Sequence, residues 1–134
     1  MSYTINISTK KKEEIVDITS QVEELVKKSR VKEGLCNVFA RHATAAISIN
    51  ENWDPALRED LLSLLRKLIP EGIWKHDKID DNGAAHLKSI LLGPSEIIPI
   101  KDGKLLLGRW QGIALTEFDG PKQREIIVQI VEAK

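Results

Sequence analysis

Apolar and polar residues alternate with a period of two at the start of the chain and take up a helical period soon after. Tyr3 to Ser8 alternates as a strand does, and a second short strand is predicted over Ile15 to Ile18. Ser20 and Glu23 have the spacing of a capping box, which predicts a helix that Gly34 interrupts. The apolar stripe of this helix consists of Val22, Leu25 and Val26.

The segment Leu35 to Asn50 is rich in β-formers and predicts extended structure with a possible bend. If the strand runs unbroken, alternation places one set of side chains on a common face, apolar at its start and polar at its end. That set is Cys36, Val38, Ala40, His42 and Thr44.

Two helices are predicted in the middle of the chain. Asp54-Pro55 suits an N-cap and first-turn pair, and the helix that follows should stop near Pro70. Asn82-Gly83 opens the next helix and Gly93-Pro94 ends it. Their predicted inward stripes are Leu57, Leu61, Leu64, Leu65 and Leu68 in the first, and Leu87, Ile90 and Leu91 in the second.

The last third of the chain is β-rich and contains two turn signals, Asp102-Gly103 and Asp119-Gly120. The predicted strands are Glu96 to Ile100, Leu105 to Leu107, Trp110 to Phe118 and Ile126 to Val131. This order of elements predicts one α+β domain over residues 1–134, built on antiparallel strands with about three helices in its N-terminal and middle parts.

Composition removes several functional classes. Lys plus Arg and Asp plus Glu are equal at 20 each, so no bulk charge favours nucleic acid or an anionic membrane. No apolar run approaches the roughly 20 residues of a membrane helix, and the first residues lack a secretory pattern, so a cytoplasmic location is expected. The single cysteine, Cys36, lies in an apolar segment and is predicted to be a buried core residue.

Three groups of residues could carry chemistry. The first is His42, His76 and His86, whose imidazoles are good zinc ligands although their spacing is no compact metal motif. The second is Glu51, which could bind a metal or act as a general base, or simply serve a turn. The third is Arg124, which suits a phosphate or a cross-strand ion pair equally well.

The strand predicted over Trp110 to Phe118 also has one face with a polar residue at each end of an apolar patch, where a ligand could lie. This face carries Gln111, Ile113, Leu115 and Glu117.

At these positions the chain resembles the YjbQ family, whose members are described as secondary thiamine-phosphate synthases. The matching stretches occur in the family's order and cover nearly the whole chain. They are His42-Ala43-Thr44-Ala45-Ala46 with Asn50-Glu51, His76-Asp77 with Asn82-Gly83-Ala84-Ala85-His86, and Gly108-Arg109-Trp110-Gln111 with Glu117-Phe118-Asp119-Gly120-Pro121.

The resemblance implies a β-sandwich-like α+β fold that assembles as a homotrimer, with the three histidines near a metal or anion site close to a subunit boundary. One departure is Lys122, where the family usually has Arg after Asp-Gly-Pro; the charge is kept and the bidentate fork is lost.

Three functions are compatible with this resemblance. The first is the synthase, which couples a pyrimidine diphosphate to a thiazole phosphate and releases pyrophosphate, with Mg²⁺ held by Glu51 and Asp119. The second is a zinc-dependent hydrolase with Glu51 as base, and the third is a non-catalytic binder of a small anionic metabolite. No organic cofactor is expected.

Two sets of residues are expected to form the site. The groups expected to bind the substrate or its phosphate are Thr44, Asn82, Gln111, Lys122, Arg124 and the amides that open the helix at Gly83. The residues expected to be catalytic are His42, Glu51, His76 and His86.

Overall fold

Eight strands and four helices make up the fold, which a computed structural model describes over residues 1–134. The strands are β1 Ser2–Ser8, β2 Glu14–Asp17, β3 Gly34–Ala40, β4 Ala45–Asn50, β5 Ser95–Lys101, β6 Lys104–Leu105, β7 Gly112–Glu117 and β8 Gln123–Glu132. The helices are α1 Thr19–Ser29, α2 Pro55–Leu68, α3 Asp77–Asp80 and α4 Gly83–Leu92.

All strand pairs are antiparallel and form two sheets. The five-stranded sheet has the order β1-β8-β3-β5-β6, and the three-stranded sheet has the order β2-β7-β4. Side chains from both sheets and from α1 share one core, while α2 and α4 pack through a second, smaller cluster on the other face of the three-stranded sheet. The predicted α+β class with sandwich-like antiparallel sheets is confirmed, and the one-turn helix α3 is an addition to the three predicted helices.

The bend predicted within Leu35 to Asn50 separates β3 from β4 and carries the chain from one sheet to the other. The backbone N–H of Ala40 donates to the carbonyl of Pro94 at 2.8 Å, and that of Ile47 donates to the carbonyl of Gly93 at 3.1 Å. The alternating face therefore ends at Ala40, with Cys36 buried as predicted. His42 and Thr44 lie in the crossover instead of on the strand.

Helix α2 begins as predicted, because the Asp54 carboxylate accepts from the N–H of Ala56 at 2.9 Å and Pro55 occupies the first turn. The prediction that Ser20 and Glu23 form a capping box is wrong. Helix α1 starts two residues earlier, with Ile18 at the N-cap position, and the Asp17 carboxylate accepts from the N–H of Thr19 at 2.9 Å. None of the helices combines the length and the hydropathy that a membrane crossing requires.

The apolar stripe predicted to face inward on α4 is wrong, since Ile90 is 75% exposed and Leu91 is 62% exposed. The inward face consists of Ala85, Lys88 and Ser89, which are all buried. Small side chains let α4 approach β4, and the buried Lys88 ammonium is neutralised by the Glu13 carboxylate at 2.9 Å. On α2, likewise, Leu65 is buried and three leucines of the predicted stripe, Leu57, Leu64 and Leu68, are exposed.

Candidate functional site

A buried ion pair lies between the two sheets at the end of the sandwich where β7 ends and β8 begins. Arg124 donates from Nε to Glu117 Oε1 at 2.9 Å and from Nη2 to Glu117 Oε2. The Glu117 side chain is 0% exposed and the Arg124 side chain 4% exposed. Of the two roles predicted for Arg124, the structure shows the ion pair. The pair joins the two sheets, however, and not two adjacent strands of one sheet.

Two threonines complete the environment of this pair. The Thr9 hydroxyl donates to Glu117 Oε1 at 2.7 Å, and Arg124 Nη2 donates to the Thr44 hydroxyl at 2.8 Å. Burial alone raises the pKa of Glu117, but the hydrogen bonds from Arg124, Thr9 and the N–H of Asp119 outweigh it and hold the pKa below its ordinary value. Arg124 Nη1 has no hydrogen-bond partner within the chain, so this guanidinium retains donor capacity for a ligand.

His42 borders the same end of the sandwich from the β3–β4 crossover. Its Nε2 accepts a hydrogen bond from the backbone N–H of Glu125 at 2.8 Å, so the proton of the neutral ring lies on Nδ1. Burial lowers the pKa of His42, and the nearby Arg124 charge lowers it further against the opposing Glu125 and Glu117 carboxylates. His42 is thus positioned as a neutral donor through Nδ1–H, and a metal bond through Nε2 would break its contact with β8.

A second polar group adjoins the ion pair at the start of α4. The Asp119 carboxylate accepts from Asn82 Nδ2 at 2.9 Å and from Lys122 Nζ at 2.7 Å. Burial raises the pKa of Asp119, and these two hydrogen bonds more than compensate, so the pKa lies below its ordinary value. Asp119 and Asn82 line a cavity of about 240 Å³ that also reaches Lys12 and Glu71.

Gly120 lets the N-terminal loop approach the turn between β7 and β8. Its N–H donates to the carbonyl of Lys12 at 2.9 Å, and a Cβ at this position would lie 2.2 Å from the carbonyl oxygen of Lys11. A side chain at residue 120 would therefore force apart the two segments that supply Thr9 and Asp119.

His76 and His86 lie next to each other on the helical side of the molecule. Their ring centroids are 4.6 Å apart with an interplanar angle of 76°, and His76 Nε2 lies 3.9 Å from the Asp80 carboxylate. The pair lines a separate cavity beside the start of α4. The Gly83 N–H there already donates to the Asp77 carboxylate at 2.8 Å, so this amide is not free for a phosphate oxygen.

The expected meeting of all three histidines does not occur within one chain. His42 is held on β8, whereas His76 and His86 flank the start of α4, and no three His, Cys, Asp or Glu side chains are grouped closely enough to share a metal ion. The physical reason is the strand crossover, which directs His42 toward the five-stranded sheet instead of the helical layer.

Glu51 and Gln111 lie at the other end of the three-stranded sheet. Asn50, which precedes Glu51, pairs with Gly112 in the β4–β7 ladder, whereas Glu117 pairs with Ala45 at the opposite end. The strand rise puts Glu51 about 20 Å from Asp119, too far to share a magnesium ion. Glu51 accepts from the N–H of Asp54 at 2.9 Å, which is a turn contact, and Gln111 accepts from the N–H of Gly108 at 2.7 Å.

Sequence reasoning missed two residues of this site. The sequence marks Glu117 only as the polar end of a strand face and as part of a stretch that matches the family, and it does not mark Thr9 at all. A charged residue at the end of a strand that is buried along its whole length is a signal that could have identified Glu117, since such a charge requires a partner. Thr9 has no comparable signal, because its contact to Glu117 depends on residues 108 positions apart.

The fold and the polar end of the sandwich define a small α+β protein whose candidate site is built on the buried Glu117–Arg124 ion pair and an adjoining polar cavity. The family model for UPF0047 protein YjbQ-like matches residues 3–133, so the chain belongs to the YjbQ-like UPF0047 family.

Relatives of this chain occur in archaea and bacteria. A UPF0047 protein of Methanocaldococcus jannaschii is 46% identical over 134 residues, covering 100% of this chain and 96% of the relative. The UPF0047 protein YugU of Bacillus subtilis is 37% identical, covering 98% of this chain and 99% of the relative. The crystal structure of a YbjQ-like protein of unknown function from Sulfolobus solfataricus P2 has a TM-score of 0.96 at 44% identity, with 99% and 97% of the two chains covered.

Proposed function

We propose that the end of the sandwich around Arg124 binds a small phosphorylated metabolite, and that the reaction is the thiamine-phosphate synthesis that the family resemblance implies. The observation that carries the binding proposal is that one nitrogen of the Arg124 guanidinium, Nη1, makes no hydrogen bond within the chain. Glu117 and Thr44 fix the guanidinium through Nε and Nη2 and leave Nη1 without a partner. A buried arginine that is already oriented loses little conformational freedom when it binds an anion.

Two further donors support an anion at this place. His42 offers Nδ1–H, and Lys122 offers an ammonium that is held by Asp119 and remains about half exposed. The Arg124 charge lowers the pKa values of both His42 and Asp119, which supports a site shared around this guanidinium. Oxygen atoms of a phosphate need several such donors, and charge-assisted hydrogen bonds are the strong kind.

In the proposed reaction, the thiazole ring nitrogen forms a bond to the methylene carbon of the pyrimidine diphosphate. The carbon–oxygen bond to the diphosphate breaks, and its electron pair leaves with pyrophosphate. Arg124 and Lys122 would stabilise the negative charge that develops on this leaving group, which is the kind of electrostatic contribution that accelerates such steps.

The residues expected to hold a metal do not fit one ion within a single chain. Glu51 and Asp119 lie at opposite ends of the β4–β7 pair, and the three histidines are divided between two places. The proposed chemistry therefore assigns the charge stabilisation to the chain's own cations. A divalent metal remains part of the proposal only where residues of several chains bind it together, as in the homotrimer that the resemblance implies.

Calorimetric titration with inorganic pyrophosphate tests the binding proposal. Lys122→Ala should weaken binding at least tenfold, because a charge-assisted contact contributes roughly 1.5–3 kcal/mol. Lys104→Ala is the matched control, since Lys104 lies on β6 at the far end of the five-stranded sheet and should leave the affinity unchanged. Equal affinities for the wild type and Lys122→Ala would overturn the site assignment.

The synthase proposal has its own test. Purified protein is given the pyrimidine diphosphate and the thiazole phosphate, with and without Mg²⁺, and thiamine phosphate is quantified alongside Lys122→Ala purified identically. Product formation that falls in the variant supports the synthase. Tight pyrophosphate binding without product would instead support a non-catalytic binder of an anionic metabolite, and equal rates in both preparations would indicate a contaminating enzyme.

A zinc-dependent hydrolase is the second candidate, and the His76–His86 pair favours it. Two adjacent imidazoles with the Asp80 carboxylate nearby provide part of a zinc ligand set. Metal analysis of protein purified without added metal tests this candidate: stoichiometric zinc that is lost in His76→Ala supports it, and protein without zinc contradicts it.

A further inference from the structure

A second cavity, of about 240 Å³, lies between α2 and the three-stranded sheet, near the Asn50–Gly112 end of that sheet. Leu57 and Leu61 of the apolar stripe of α2 line this cavity without filling it. Pockets for drug-sized ligands occupy roughly 300–1,000 Å³, so this cavity suits a smaller metabolite. Its apolar lining consists of Ile15, Ile49, Leu57, Leu61, Leu92 and Ala114.

Asn52 lines the same cavity and has an unused hydrogen-bond donor. The residue is only 7% exposed, and its Nδ2 is buried without a hydrogen-bond partner. Gly112 makes room for this amide, because a Cβ at residue 112 would lie 2.6 Å from Asn52 Nδ2. A buried donor without a partner costs free energy, and native structures normally satisfy it. The amide is therefore held at the cavity with a donor available to a bound molecule.

Two charged side chains of opposite sign also line this cavity. Arg58 is partly buried on α2, and its guanidinium belongs to no ion pair. Glu51 Oε1 accepts from the N–H groups of Trp53 and Asp54 at 3.2 Å and 2.9 Å, which fixes the carboxylate and leaves Oε2 without a partner. The cavity thus combines donors for an anionic group, an acceptor for a cationic group and an apolar space.

This combination matches an α-amino acid with an aliphatic side chain, which carries a carboxylate, an ammonium and an apolar group on one carbon atom. A fatty acid would leave Glu51 without a partner, and an alkylamine would leave Arg58 and Asn52 without one. A sugar would bury hydroxyl groups against the apolar lining, which has no hydrogen bonds to offer them.

We propose that the cavity binds an aliphatic α-amino acid of about leucine's size. The carboxylate of the ligand accepts from Asn52 Nδ2 and pairs with Arg58, whose planar fork suits a carboxylate. The ammonium group pairs with the free oxygen of Glu51, and the side chain lies against the leucines of α2. Because Glu51 is about 20 Å from Asp119 along the β4–β7 pair, this site is separate from the proposed anion site and does not depend on it.

Calorimetric titration of the purified protein with L-leucine tests the proposal. Two probes each remove one charged group of the ligand: 4-methylpentanoate lacks the amino group, and 3-methylbutylamine lacks the carboxylate. Each should bind at least tenfold more weakly than L-leucine, because each leaves a charged group of the cavity unpaired. L-Glutamate should not bind, since its side chain would place a charge against the apolar lining.

Glu51→Gln tests the ammonium contact. Glutamine keeps an oxygen that can accept from the N–H of Asp54, so the turn should survive. The affinity for L-leucine should fall at least tenfold, whereas 4-methylpentanoate should bind at least as tightly as it does to the wild type. Glu59→Gln is the matched control, because Glu59 is exposed on α2 and does not line the cavity. Lys122→Ala should also leave the affinity for L-leucine unchanged, which separates this site from the anion site.

Three results would overturn the proposal. The first is a folded wild type, verified by circular dichroism, that shows neither binding heat nor changes in its ¹H–¹⁵N spectrum with millimolar L-leucine. The second is equal affinity for L-leucine and 4-methylpentanoate, which would show that the ammonium group is not recognised. The third is a folded Glu51→Gln variant that binds L-leucine as tightly as the wild type does.

Discussion

Glu117 and Arg124 are seven residues apart and join the two sheets across the end of the sandwich, with Arg124 Nε 2.9 Å from Glu117 Oε1. Glu117 belongs to β7 in the three-stranded sheet, and Arg124 belongs to β8 in the five-stranded sheet. The same pair orients the guanidinium for the proposed anion and stabilises the closure of the sandwich.

Removing one member of this pair should destabilise the fold strongly. Glu117→Gln leaves the buried Arg124 guanidinium without its counter-charge, and such changes typically cost about 3–5 kcal/mol. Urea denaturation measures the loss. The exposed Arg41–Glu125 pair is the control, since Glu125→Gln should cost less than about 1 kcal/mol. Similar losses in the two variants would show that burial does not strengthen the inner pair.

Stability should fall in acid because of the same carboxylate. The pKa of Glu117 is below its ordinary value of 4.5 in the folded chain, so the unfolded chain takes up the proton first. The contribution is complete above about pH 4.5 and is lost as the pH falls through the lower folded pKa. The difference in unfolding free energy between wild type and Glu117→Gln should therefore shrink from pH 5 toward pH 3. A difference that stays constant with pH would contradict this linkage.

His42 should be neutral at pH 7 and carry its proton on Nδ1. Its folded pKa lies below 6.5, so its contribution to stability is complete above that pH and decreases as the pH falls through the folded value. Long-range ¹H–¹⁵N correlation spectra of the imidazole distinguish the two neutral tautomers. An Nε2–H tautomer at pH 7 would show that the hydrogen bond from Glu125 is not made.

Cys36 should be unreactive in the folded protein. Its thiol is 0% exposed, and burial raises its pKa to about 11, so almost no thiolate exists at neutral pH. Ellman's reagent should modify it orders of magnitude more slowly than in urea. Equally fast labelling in both conditions would indicate frequent opening of β3.

Gly120→Ala should separate the N-terminal loop from the β7–β8 turn. The added methyl group would meet the Lys11 carbonyl oxygen at 2.2 Å, and the required backbone shift should cost roughly 2–4 kcal/mol. Gly108→Ala provides the comparison, because its nearest atom belongs to the flexible Gln111 side chain at 3.2 Å. Thermal unfolding of the two variants measures the contrast, and equal midpoints would contradict it.

Local patterns were sufficient for the secondary structure of most of the chain. The Asp54-Pro55 cap, the Asp102-Gly103 hairpin turn and the end of α4 at Gly93 all follow from residues within a few positions of one another. The Ser20 cap failed because the helix begins before Ser20: the Asp17 carboxylate accepts from the N–H of Thr19, so Ser20 already lies in the first turn of α1.

The packing of α4 and the makeup of the site depend on distant residues, which explains why sequence patterns did not find them. A stripe such as Leu87, Ile90 and Leu91 shows that one helix face is apolar but not what covers it. Lys88 turns inward only because Glu13, 75 positions away, neutralises it. The histidines were grouped by residue type, whereas the strand crossover at residues 41–44 decides which sheet His42 reaches.

Strand β8 carries Arg124 on its inner side and, from Glu125 onward, alternate residues on its outer side. A deletion of one residue within this strand would exchange the two sets, placing the Arg124 guanidinium in solvent and outward side chains such as Val131 against the core. The proposed anion site and the outer face of the five-stranded sheet therefore depend on the same register of β8, and a one-residue insertion or deletion in this strand should disrupt both. Only substitutions can alter one of these surfaces independently of the other.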